Sequence, residues 1–144
     1  MAQEAEAPAE AVEEAPMTPE EKQAAAIALY GEGQTLLTDG KYAEAIAKFE
    51  EAFALFPDPG LQVKIGEAYQ RDGTEQLDFD KLQKSVEVYK KYVELVPEGE
   101  TTTQILDRIN QIEESIQAEE QRKQRVADEE TQAKLDERLA KEAE

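Results

Sequence analysis

Two glycines 33 residues apart set the frame of this chain. Gly33 and Gly66 each lie in an apolar stretch with helical spacing. Each stretch is followed by a second one that ends in proline, at Pro57 and Pro97. Between Gly40 and Pro59 runs "GKYAEAIAKFEEAFALFPDP", in which Tyr42, Ala45, Ile46, Phe49, Ala52, Phe53 and Phe56 recur three and four positions apart. That spacing predicts one amphipathic helix over about 41–56. The stretch before it predicts another. "TPEE" at 18–21 is a helix start, with Thr18 as cap, Pro19 at the first helical position and Glu21 closing a capping box. Ile27, Tyr30, Leu36 and Leu37 carry that helix to Asp39, and Gly40 ends it. The two helices form an antiparallel hairpin.

A second hairpin follows. Leu61, Val63, Ile65, Ala68 and Tyr69 predict a helix ending near Gly73, and "TEQLDFD" reads as a loop. Asp80 is the expected cap of the next helix, striped by Leu82, Val86, Tyr89, Tyr92, Val93 and Val96 and ended by Pro97. From Thr101 to Glu144 there is no Gly and no Pro. Thr101 and Gln104 can form a capping box, and Ile105, Ile109, Ile112 and Ile116 make one apolar seam. Beyond Ile116 only Val126, Leu135 and Leu139 are large and aliphatic. Glu119/Lys123, Glu130/Lys134 and Glu137/Lys141 are i,i+4 pairs in the favourable order, each worth roughly 0.2–0.5 kcal/mol. A docked helix to about 117 and a solvated, fraying extension are expected.

All nine aromatic residues lie between 30 and 92, so the core belongs there. The ends are built from Ala, Glu, Gln and Lys, which cannot bury enough apolar surface to offset the entropy of ordering. Residues 1–17 read as a disordered acidic tail. After Met1, "AQEAEAP" resembles the start of a processed, exported chain. That favours the periplasm or cell envelope, with a cytoplasmic tail as the alternative. The expected division is a tail at 1–17, a domain at 18–116 and a charged helical extension at 117–144. The domain comprises hairpins at 19–56 and 60–96 and a capping helix at 101–116.

Composition excludes several kinds of chemistry. With no Cys and no His, thiolate, imidazole and zinc sites of the usual kind are out. A net charge of −18 repels nucleic-acid phosphates and favours basic partners, so no nucleic acid is expected to bind. No apolar run approaches the 18 or so residues of a transmembrane helix. The paired acids Glu50-Glu51 and Glu113-Glu114 read as solvated helix faces. "YGEGQ" at 30–34 lies within a helix and is no phosphate loop, and "DGTEQLDFD" at 72–80 lacks the spacing of a calcium loop. No catalytic set, cofactor site or metal site is expected, and the chain reads as no enzyme.

The spacing of small, aromatic and proline residues resembles the tetratricopeptide repeat. Hairpin one has Leu29, Glu32-Gly33, Leu36, then Ala45, Phe49 and Pro57. Hairpin two has Gln62, Ile65-Gly66, Tyr69, then Ser85, Tyr89 and Pro97. The family pattern is W-x2-L-G-x2-Y, then A-x3-F, then P. The resemblance covers about residues 26–97, with 101–116 as the capping helix of the stack. Glu32 and Gln62 depart from it. Gly33 to Ala45 is 12 residues and Gly66 to Ser85 is 19, which places a seven-residue insertion in the second hairpin's turn. "EGQTLLTDGKYAEAIAKFEEA" with "YVELVPEG" is similar to tetratricopeptide proteins of bacteria with large envelopes.

The resemblance implies an all-α fold, a fragment of a right-handed superhelix with a long C-terminal helix. It also implies a protein-binding adaptor or scaffold without enzymatic activity. Gly33 with Ala45, and Gly66 with Ser85, would let helices cross closely, while Phe49 and Tyr89 would fill the space between hairpins. A partner peptide would lie along the first helix of each hairpin, against Tyr30, Gln34, Leu37, Val63, Glu67, Gln70 and Arg71, and against Thr103, Asp107 and Asn110 of the third. Burial against a neighbouring helix is the competing expectation for Tyr30, Leu37 and Val63. Chaperone-binding members hold a C-terminal carboxylate with a Lys/Arg/Asn clamp. Tyr30 and Gln34 stand where its first Lys and Asn would be, so that clamp is not implied here. A capped monomer is favoured, with a homodimer as the alternative. In a second functional reading, the helix from 101 to 144, about 65 Å long at 1.5 Å per residue, is a coiled-coil, assembly or spacer element.

Overall fold

The computed structural model describes residues 15–144, so most of the expected acidic tail lies outside the described residues. Five helices follow one another: α1 (Pro19–Thr38), α2 (Tyr42–Leu55), α3 (Pro59–Gln76), α4 (Phe79–Leu95) and α5 (Glu100–Glu142). Each packs chiefly on its neighbours in sequence, α1 on α2, α2 on α3, α3 on α4 and α4 on α5. Among the described residues there is no strand.

Local chemistry explains the first boundaries. The Thr18 hydroxyl accepts from the Glu21 amide at 3.2 Å, and Pro19 occupies the first helical position. At the other end of α1, Gly40 takes φ +75°. The Gly40 amide donates to the Leu37 carbonyl at 3.1 Å and the Lys41 amide to the Leu36 carbonyl at 2.9 Å. That pair of bonds is the Schellman closure, which needs a left-handed residue and so favours glycine. Pro57 lies just past the end of α2, and Pro59 opens α3 under an Asp58 cap that accepts from the Gly60 amide at 2.8 Å.

The second hairpin departs from expectation. The seven inserted residues make no long loop. Instead α3 runs on to Gln76 and α4 begins at Phe79, leaving a two-residue turn. The cap of α4 is Asp78, not Asp80: its carboxylate accepts from the amides of Asp80 at 3.1 Å and Lys81 at 3.3 Å. Gly73 does not end α3 but lets α4 cross it. A Cβ there would stand 2.9 Å from the Asp78 carbonyl oxygen and from the Leu82 amide nitrogen. Lys81 braces the crossing through Asp72 at 2.9 Å. Leu77, in the turn, holds φ +51° and is 77% exposed.

The two glycines of the repeat do more than let backbones approach. A Cβ on Gly33 would lie 2.6 Å from the Phe49 ring, and a Cβ on Gly66 would fall onto the Tyr89 ring. Each glycine is therefore a notch that receives an aromatic ring from the second helix of its own hairpin. Phe49 and Tyr89 are both fully buried there. Ala45 and Ser85 are likewise fully buried, and the Ser85 hydroxyl bonds to the Leu82 carbonyl at 2.7 Å. Two apolar clusters result. One gathers Leu37, Ile46, Phe49, Leu61 and Ile65 across α1–α3, and the other gathers Leu82, Val86, Tyr89 and Tyr92 with the seam of α5.

That seam, Ile105, Ile109 and Ile112, is buried, and Ile116 is half-buried. Burying an isoleucine is worth about 1.5–3 kcal/mol, so these residues hold α5 on α4. The expected Thr101/Gln104 box does not form the helix start. Gly99 precedes it without a side-chain cap, and buried Thr102 instead ties α5 to the end of α4 through the Val96 carbonyl at 2.7 Å. Where Gly33 and Gly66 stand in the first helices of the hairpins, α5 carries Leu106, 44% exposed. Among the described residues no helix covers that side, and the stack ends there.

Past Ile116 α5 continues unbroken to Glu142. The stretch lacks glycine and proline and is rich in strong helix formers. Local side-chain pairs add to this. Glu119 takes Arg122 in a two-point pair at 2.9 and 2.7 Å rather than Lys123, and Lys141 reaches Glu137 at 3.2 Å. Gln124–Asp128 and Gln132–Asp136 are bonded at 2.9 and 2.8 Å.

Substituting two glycines of similar helical setting separates the notch from simple propensity. Gly66→Ala is expected to cost about 1–3 kcal/mol through overpacking on Tyr89. Gly31→Ala, where a Cβ meets nothing within 4 Å, is expected to gain about 0.5–1 kcal/mol from helix propensity. Urea unfolding of both variants followed by far-UV circular dichroism measures the contrast.

Candidate protein-binding groove

The first helices of the hairpins, α1 and α3, and the start of α5 line two neighbouring cavities. The larger, about 780 Å³, is mainly apolar and is walled by Ile27 and Tyr30 of α1, Phe56 after α2, Val63 and Lys64 of α3, and Thr101 of α5. Ile27 is 65% exposed and Phe56 40%, unusual for side chains of this size on one continuous surface. The smaller, about 380 Å³, is polar and is lined by Glu67, Gln70, Arg71, Thr74 and Glu75 of α3 and by Arg108 of α5. Val63 to Gln70 is seven positions on α3, and Thr101 to Arg108 is seven on α5. Two turns of helix return to the same face, and Lys64 and Glu67, one turn apart on α3, border the larger and the smaller cavity, so the cavities adjoin along one surface.

The notches support this surface from below. Phe49, seated on Gly33, meets the Tyr30 ring with centroids 5.9 Å apart. Tyr89, seated on Gly66, donates its hydroxyl to Gln70 Oε1 at 2.7 Å. Each buried aromatic thus holds one groove residue in place. Tyr42 extends the same arrangement by donating to Glu75 Oε1 at 2.5 Å, a bond that raises the Tyr42 pKa, with burial adding to the effect. Burial pushes the Tyr89 phenol up as well, and the nearby Arg108 guanidinium partly offsets this. Within the smaller cavity Glu67 already holds Arg71 at 2.7 Å and Lys64 at 3.6 Å.

The structure sorts the residues expected to line the groove. Tyr30 and Val63 border the larger cavity, and Glu67, Gln70 and Arg71 border the smaller. Leu37 is buried in the first apolar cluster, where it is core and has no free surface for a ligand. Gln34 is half-buried on α1, and its Oε1 has no hydrogen-bond partner among the described residues. Thr103, Asp107 and Asn110 are exposed on α5 and line neither cavity. The side of α5 that reaches the cavities carries Thr101 and Arg108 instead. Sequence reasoning missed those two and Ile27 and Phe56. Ile27 had a signal, since it stands three positions before Tyr30. Phe56 had none, because its place depends on how the chain turns at Pro57.

The sequence profile described as tetratricopeptide repeat matches residues 26–59. That range takes in the Gly33 notch, Ala45, Phe49 and the proline turn, the features that build the first hairpin. The first hairpin is thus similar to a tetratricopeptide repeat, and the helical-hairpin architecture supports that assignment. No curated protein matches the chain. Tetratricopeptide repeats are in general protein–protein interaction modules, and a protein partner is what the family supports. Among the described residues no group of His, Cys, Asp and Glu could hold a metal ion, and no helix is long and apolar enough to cross a membrane.

Tyr89 gives the groove a measurable support. Tyr89→Phe removes the bond to Gln70 and is expected to cost about 1 kcal/mol near neutral pH. The Tyr89 pKa in the folded protein lies above its ordinary value of 10.0, so the folded chain keeps a proton that the unfolded chain releases. This contribution is complete below pH 10 or so and is lost as pH rises through the folded-state value. Urea unfolding between pH 8 and 11 should therefore show a shallower alkaline decline in Tyr89→Phe than in the parent.

Proposed function

We propose that this chain is a non-enzymatic adaptor that holds a segment of a partner protein in the groove formed by α1, α3 and the start of α5. One observation carries the reading. The 780 Å³ cavity is apolar and open, with Ile27 and Phe56 presented to solvent beside Tyr30 and Val63. A protein with 34 acidic residues has ample means to cover such a surface with charge, and here it does not. Large apolar side chains left at a cavity mouth are the usual anchors of a docked segment. The two buried aromatics keep the groove walls fixed, which lowers the ordering cost of binding.

The test uses the whole chain as bait in a lysate of the encoding organism, beside an Ile27→Glu/Phe56→Ser variant. Both positions are well exposed, so helicity is expected to stay unchanged in the variant. A partner retained by the parent and lost by the variant supports groove binding. A partner retained equally by both places the contact elsewhere.

A second reading concerns α5, and its unbroken course to Glu142 favours it. The 26 residues after Ile116 extend about 39 Å at 1.5 Å per residue. They bear no apolar seam: at about 100° per residue, Leu135 and Leu139 fall on the side of the helix opposite Val126. All three are exposed. This supports a spacer that sets the repeat domain at a distance, rather than an oligomerisation helix. Light scattering is expected to give a monomer mass for the full chain and for a version ending at Ile116, with closely similar unfolding midpoints. A defined oligomer lost on truncation would favour assembly through α5 instead.

A further inference from the structure

The smaller cavity contains a cation without a carboxylate partner. Arg108 is half-buried on α5 and makes no ion pair within 4 Å among the described residues. The two carboxylates that share its cavity are already engaged. Glu67 holds Arg71 and Lys64, and Glu75 accepts from Tyr42. A guanidinium presents a planar fork of five donors and matches a carboxylate in two-point fashion. Tyr89 and Gln70, bonded to each other, lie beside it and are themselves fixed by the Gly66 notch. The site is thus a preorganised cation on a wall that does not supply its anion.

We propose, on the basis of the groove reading above, that the partner segment carries a large apolar side chain and an acidic side chain about 10 Å apart. The apolar group sits against Ile27, Tyr30 and Phe56 in the larger cavity, and the acid meets Arg108 in the smaller. The register is that of Arg108 from Thr101, which borders the larger cavity seven residues, about 10 Å, earlier on α5. An extended segment covers that distance in about three residues at roughly 3.3 Å each. The motif is therefore an apolar residue and an Asp or Glu three positions apart. The chain's net charge of −18 acts in the opposite sense at long range, favouring basic surroundings in the partner. At contact, the half-buried Arg108 selects the acid, because a charge-assisted bond there is less screened than one in open solvent.

Selection of a phage-displayed random dodecapeptide library on the full chain tests this. The displayed peptides have no free C-terminus, so an enriched acid is a side chain. The expected result is enrichment of a large apolar residue with Asp or Glu three positions away. A synthetic peptide of the enriched sequence is then measured by fluorescence anisotropy. Changing its acid to the amide, or making Arg108→Gln, is expected to weaken binding about tenfold, the equivalent of one charge-assisted bond. Arg108→Lys is expected to keep the preference for acid. Circular dichroism of Arg108→Gln is expected to match the parent, since no ion pair is lost. Enrichment of Lys or Arg, absence of any charge preference, or an acid preference that survives Arg108→Gln would each overturn the proposal and leave groove binding standing. Failure of any peptide to enrich above bare support would overturn the proposal and groove binding together.

Discussion

The seating of an aromatic ring on a helical glycine is the contact on which this molecule depends. Phe49 on Gly33 and Tyr89 on Gly66 use the same geometry in two hairpins. A glycine in a helix interior is locally unfavourable by about 1 kcal/mol against alanine. The loss is offset because the ring that enters the notch is wholly removed from water and meets close-packed neighbours on every side. Nothing larger than glycine fits there without displacing the ring. The angle and depth at which the two helices of a hairpin meet follow from that limit.

The same contact links the core to the surface. Phe49 supports Tyr30 from beneath, and Tyr89 supports Gln70 through its hydroxyl. The groove is thus an outward continuation of the packing that closes each hairpin. The surface is apolar where Ile27, Tyr30, Phe56 and Val63 meet and polar where Glu67, Gln70, Arg71 and Arg108 meet.

The C-terminal helix has two physical regimes. As far as Ile116 it belongs to the domain, docked by an isoleucine seam, with Leu106 exposed on its outer side. Beyond Ile116 it is stabilised by its own backbone and by short-range side-chain pairs on its surface. Such pairs are individually worth a few tenths of a kcal/mol, so the outer helix rests on many small local terms. This suits a stiff element whose length matters more than its contacts.

The sequence by itself determined the repeat. Glycine, proline and aromatic residues punctuate and stripe the helices through local rules, and those rules placed α1, α2 and the start of α5 within a residue or two. The insertion was legible as seven extra residues but not as helix. Whether such residues coil or extend α3 and α4 depends on Gly73 admitting Leu82 from the opposite helix, a packing contact that residue spacing does not reveal. On α3 the family resemblance implied Val63, Glu67, Gln70 and Arg71, and all four border the cavities. At Leu37 the sequence left burial and ligand contact as alternatives, because periodicity marks a face without saying what lies against it, and α2 and α3 bury that leucine. Arg108 was invisible as a site residue for the same reason. Its role depends on α5 docking through its isoleucines at the angle that turns residue 108 toward α3. Only the tertiary structure decides that angle, since it is set by side chains from two helices packing together.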